Sequence, residues 1–130
     1  MAPSSLWFLA AVALATAAQA APDCRVSPGA RAPCFSLRGR LSAWNGAPTF
    51  RLRPSGSKRV LGVVGGDGDP ASPSALTPAL RAAMTPPTPG DLLPVTGTFR
   101  VCPLAPDRTG RMRPVCIAEA GQIAPAPERR

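Results

Sequence analysis

The chain has 130 residues, fifteen Lys or Arg against seven Asp or Glu for a net charge of +8, four Cys, and neither His nor Tyr. Without His, neither a Ser-His-Asp nor a Cys-His nucleophilic site can be built, and the commonest general base is missing. The positive charge rests on fourteen Arg and the single Lys58, which favours anionic partners such as lipid headgroups, polyanionic polysaccharide or nucleic acid.

Residues 1–20, MAPSSLWFLAAVALATAAQA, carry an uncharged apolar run over 6–18 that ends in Ala18-Gln19-Ala20, the small-x-small pattern of a cleaved export signal. The run is too short to span a bilayer comfortably, so no membrane span is expected after cleavage. Cys24 follows, but Ala21-Pro22-Asp23 lacks the residues of a lipobox. An uncleaved anchor is the other alternative. Removing the signal leaves 110 of the 130 residues, enough for one small domain and too few for two. The expected setting is an exported one, periplasmic or secreted.

Cys24, Cys34, Cys102 and Cys116 all follow the signal, an even number in an exported chain, so a disulfide framework is expected. Cys24 and Cys34 bracket a short Pro/Gly loop, and Cys102 and Cys116 flank a hairpin, which favours two local bridges. The competing arrangement joins Cys34 to one of the later cysteines and staples the first strand to the last. No Cys-x-x-Cys pair occurs, which speaks against a zinc site or a redox catalyst.

The lead-in, 21–33, is Pro-rich and irregular, and a single β-rich domain is expected over 34–120. From Cys34 the chain alternates. Phe35, Leu37, Gly39, Leu41 and Ala43 fall on one side, and Ser36, Arg38, Arg40, Ser42 and Trp44 on the other, the pattern of a half-buried strand. Asn45-Gly46-Ala47-Pro48 supplies a turn, after which Phe50 and Leu52 resume the apolar side and Arg51 and Arg53 the polar one. This hairpin should therefore present Arg38, Arg40, Arg51 and Arg53 on one exposed face. A further turn at Pro54-Ser55-Gly56-Ser57 leads into RVLGVV, residues 59–64, expected as a buried third strand.

The Gly- and Pro-rich stretch 65–94 reads as loop with one short helix inside it. Thr77 is placed as its N-cap, Pro78 as its first residue, Leu80 and Met84 four apart on its apolar side, and Pro86-Pro87 as its end. Residues 95–104 and 113–120 read as the last two strands, and 121–130 as a disordered tail. The order of three strands, helix and two strands is that of the five-stranded Greek-key OB barrel, in which a helix between strands 3 and 4 plugs one end. A small open antiparallel sheet with the helix on one face has the same linear pattern.

The segments CFSLRGRLSAWNGAPTFRL, KRVLGV, GDGDPASPSALTPALRA, GTFRVCPL and GRMRPVCIAEA resemble those of small exported proteobacterial proteins to which no activity is attached. The resemblance covers residues 34–120, its more specific marks are the CPL and VCI segments, and it implies a self-contained exported domain.

Several candidate sites follow from the residues. The glycines of Gly62-Val63-Val64-Gly65-Gly66-Asp67-Gly68-Asp69-Pro70 are not followed by Gly-Lys-Ser/Thr, so a phosphate loop is disfavoured. Asp67 and Asp69 lack the remaining ligands of a calcium loop. No cofactor and no metal are expected. The remaining surface is the basic hairpin, with Arg38, Arg40, Trp44, Arg51 and Arg53, because guanidinium forks pair with anions and an exposed ring stacks on sugars or bases. Acidic polysaccharide, lipopolysaccharide phosphate or an acidic protein are the natural partners of an exported domain, nucleic acid less so. The plainer reading is a solvated outer face that keeps a strand edge soluble. Two other functions compete with a non-catalytic binding module: a hydrolase using Asp67, Asp69 or Asp91 on the long loop, and a cationic toxin or antimicrobial polypeptide. No strongly amphipathic helix supports the last.

Overall fold

The computed structural model describes residues 24, 33–65 and 75–127. The expected export signal, most of the lead-in, Asp67, Asp69 and the terminal Arg129 and Arg130 lie outside the described residues. Five strands and one helix follow one another: β1 (Phe35–Ala43), β2 (Phe50–Pro54), β3 (Leu61–Val63), α1 (Pro78–Met84), β4 (Val95–Pro103) and β5 (Arg113–Pro125). The strands close into a barrel in the order β1-β2-β3-β5-β4, the OB-like arrangement. The open-sheet alternative fails because every strand has two neighbours, β1 pairing with β2 and β4 while β5 pairs with β4 and β3, so no edge is left. β3 pairs with β5 in parallel, Val63 opposite Val115.

Alternation places the core. Leu41, Phe50, Leu52, Leu61, Val63, Val95, Phe99, Val101, Val115 and Ile117 all point inward and are buried together. α1 completes that core. Thr77 Oγ1 accepts from the Leu80 amide at 3.2 Å, Pro78 opens the first turn, and Leu80 and Met84 are fully buried among the barrel residues. A seven-residue helix is marginal alone, so the burial of these two side chains is what holds it. Its end is closed by the Leu93 amide donating to the Met84 carbonyl at 2.7 Å. Phe35, by contrast, stays exposed although it has the parity of the core residues.

Both disulfides are long-range. Cys24 joins Cys116 and Cys34 joins Cys102, over separations of 92 and 68 residues. The expected local bridges, Cys24–Cys34 and Cys102–Cys116, are therefore corrected in favour of the competing arrangement. The reason lies in register. Phe35 opposite Val101 brings Cys34 beside Cys102, and Cys102 is in turn opposite Cys116 on β5. Cys102 is thus flanked on both sides, and the bridge closes the β1–β4 seam while Cys116 reaches the incoming chain at Cys24. Cys24, within the expected lead-in, is thus tied covalently to β5.

A second correction concerns the end of the chain. β5 does not stop at residue 120, and residues 121–125, expected as disordered tail, continue as strand with Val95 opposite Pro125 and Thr96 opposite Ala124. Register shifts along the β4–β5 ladder, with Gln122 at φ 51°, break the regular alternation there. Ile123 still packs against the core, so burial drives pairing that the Gly- and Pro-containing sequence conceals. The third strand is shorter than expected, Leu61–Val63 instead of 59–64.

Candidate functional site

The outer face of the β1–β2 hairpin carries the arginines. Arg40 lies directly opposite Arg53, and Ser42 opposite Arg51. Together with Trp44, Val60 and Met112 these four line one concavity of about 410 Å³. Strand geometry sets Arg51 and Arg53 roughly 6.7 Å apart along β2. Among the described residues, no carboxylate lines this concavity. Arg38, expected on the same face, is exposed on β1 opposite Thr98 but does not line it; the structure brings together Arg40, Trp44, Arg51 and Arg53 only.

Local contacts fix the aromatic. The Trp44 amide donates to the Thr49 carbonyl at 2.7 Å, closing the hairpin, and Gly46 takes the φ of +101° that the turn requires. Trp44 Nε1 donates to Ser42 Oγ at 2.8 Å, and the Arg51 guanidinium carbon sits 5.0 Å from the ring centroid. Arg51 Nε in turn donates to the Pro48 carbonyl at 3.4 Å. The ring is thereby held between a polar tether and a cation, yet 52% of Trp44 stays exposed. A ring fixed in this way offers a stacking surface with little conformational entropy left to lose on binding. Arg40 donates to the Pro127 carbonyl at 2.9 Å.

Val60 and Met112 are the lining residues that the sequence did not single out. Met112 belongs to the β4–β5 loop, and its approach depends on Gly62. A Cβ at Gly62 would lie 2.7 Å from Pro48 Cγ and 3.1 Å from Met112 Sδ. With only hydrogen on the outer face of β3, the β1–β2 loop and the β4–β5 loop meet over the strand. The signal available in the sequence was the Gly of RVLGVV on the outward parity; its consequence needed the barrel order.

Arginine continues past Met112. A second concavity, which shares Val60 and Met112 with the first, is lined also by Arg59 and Arg111. A third shares Arg111 and Met112 with the second and adds Arg108 and Arg113. Arg59 forms an ion pair with Asp107, and Arg113 Nε donates to the Ala105 carbonyl at 3.0 Å, so both ends of the β4–β5 loop are tied to strands or their approaches. Asp91, one of the loop carboxylates considered for catalysis, is exposed and lines none of these three concavities. No helix among the described residues is long and apolar enough to cross a membrane.

Compared with known proteins, the chain matches no family model, no curated protein and no solved structure. The chemistry of the site therefore has to be argued from its own residues.

Proposed function

We propose that this disulfide-bonded β-barrel is a non-catalytic binding module of the periplasm or the extracellular space, and that its basic concavity takes an anionic partner. One observation carries the reading: Arg40, Arg51 and Arg53 converge with an exposed, tethered Trp44 in a concavity that no carboxylate lines among the described residues. In OB-like barrels the face of strands 2 and 3, between the β1–β2 and β4–β5 loops, is where oligonucleotides and oligosaccharides bind. Lining from β1, β2, the approach to β3 at Val60 and the β4–β5 loop at Met112 supports the analogy. Arginine forks recognise carboxylate or phosphate with geometry as well as charge. Among the described residues, no Asp, Glu, His or Lys lines the concavity, so no ordinary general base stands beside Ser42. Both disulfides suit an oxidising, exported compartment.

The test compares binding of the oxidised protein to lipopolysaccharide, an acidic polysaccharide and single-stranded DNA with that of two charge-matched variants. Arg40→Ala/Arg51→Ala/Arg53→Ala should weaken binding to the true partner class by at least roughly tenfold and flatten its salt dependence. Arg38→Ala/Arg81→Ala/Arg100→Ala should leave it near the parent value. Equal weakening by both triple variants means that net charge alone attracts the polyanion, and the concavity is then only a solvated face.

A further inference from the structure

We infer that the partner is a linear acidic polysaccharide lying along a track that runs from the β1–β2 concavity over Met112 to the β4–β5 loop, where Arg111 and Arg108 hold additional carboxylates of the same chain. The inference rests on the basic concavity being a binding site and specifies what fills it. Three concavities share walls: Met112 lines all three, Val60 also joins the first to the second, and Arg111 the second to the third. Arginine is present in each. A single anionic headgroup fills one concavity and leaves the others unused; a chain with a charge on every unit reaches all three.

Two further observations favour an extended ligand. Arg53, Arg108 and Arg111 have no side-chain partner among the described residues, so guanidinium groups at both ends of the track are open to solvent and to an anion. The loop that carries Arg108 and Arg111 is also held in place beforehand, by the Arg59–Asp107 ion pair, by Arg113 on the Ala105 carbonyl and by Met112 over Gly62. Order present before binding does not have to be created by the ligand.

The choice of polysaccharide over single-stranded nucleic acid follows from the aromatic inventory. Channels for single strands stack successive bases on successive rings. Among the described residues, Trp44 is the one aromatic that lines the track: Phe50 and Phe99 are buried in the core, and Phe35, though exposed, lines none of the three concavities. One ring suits one sugar, with carboxylates on the following units paired to arginine.

The test measures affinity for uronic-acid oligomers from the disaccharide to the octasaccharide, using the oxidised protein and the Arg108→Ala/Arg111→Ala variant, with thermal unfolding of both as the control for folding. The parent should bind longer oligomers progressively more tightly. The variant should match it on the disaccharide and fall behind on the octasaccharide by roughly tenfold or more. A variant that gains with length as the parent does overturns the extended track, as does a parent that binds the disaccharide as tightly as the octasaccharide; in both cases the concavity remains a site. Tighter binding of an oligodeoxynucleotide of equal charge at the same salt overturns the polysaccharide. If the parent binds no oligomer of any length and no other polyanion, the underlying reading of the concavity is itself wrong.

Discussion

At Gly39 a single hydrogen atom decides whether β1 can serve two neighbours. The strand pairs with β4 over residues 35–41 and with β2 over 39–43, and the two ladders overlap over 39–41, beginning at Gly39, which lies opposite Pro54 on one side and Gly97 on the other. A Cβ there would stand 2.6 Å from the Arg53 carbonyl oxygen and 3.2 Å from Leu37 Cδ1. The first of these is backbone and cannot swing aside. Gly39→Ala should therefore destabilise the domain by about 1–3 kcal/mol, as overpacking does, read as a lower denaturant midpoint at unchanged slope. Because Arg53 is also a lining residue, the same substitution should disturb the site at the atom that supports it. An unchanged midpoint would mean that the barrel closes without the close approach. Much at this scale was visible in the sequence. The parity of Leu41, Phe50, Leu52 and the outward arginines is correct, as are Thr77 as the cap and Leu80 and Met84 as the buried pair. What parity could not convey is that Gly39 stands on the apolar side because nothing larger fits, and that Phe35 on the same side is exposed.

Among the elements, the disulfides show where local reasoning stops. Short sequence separation suggested bridges within a loop and within a hairpin, but strand pairing decides which sulfurs meet. Register puts Cys34, Cys102 and Cys116 in a row across three strands, and only knowledge of the β1–β4 closure reveals it. The same closure explains the length of β5, since residues beyond 120 are needed to pair with the start of β4. The bridges span 92 and 68 residues, so in the chain-entropy picture each restricts the unfolded state by roughly 4 kcal/mol. Replacing Cys34 and Cys102 together with Ser should lower stability by about 2–5 kcal/mol and loosen the β1–β4 seam first. Hydrogen exchange should report it, with amides of Leu37 and Phe99 losing protection before those of β3 and the adjoining part of β5. Uniform loss of protection would place the barrel's weakest joint elsewhere.

For the whole molecule, one arrangement links fold to proposed function: a small core of alternating strands and a plug helix, stapled by two long-range disulfides, with arginines turned outward on the β1–β2 hairpin and the β4–β5 loop. The helix, the succession of elements along the chain and the basic hairpin could be read from sequence because caps, turns and period-2 alternation are local. The extension of the basic surface onto the β4–β5 loop could not, because Arg108 and Arg111 lie more than fifty residues from the hairpin in sequence and meet it only through the parallel β3–β5 pairing and the bare outer face of Gly62. The central claim is that this face, and no other, receives an anionic polymer. Its most direct test is a nuclear magnetic resonance titration of the isotopically labelled, oxidised protein with an acidic oligosaccharide. The account predicts that the Trp44 indole N–H and the amides of Arg40, Arg51, Arg53, Val60 and Met112 shift together and saturate, and that rising salt reverses the shifts. Shifts concentrated instead around Thr98, Arg100, Glu119 and Gln122, on the β4–β5 side of the barrel, would contradict it.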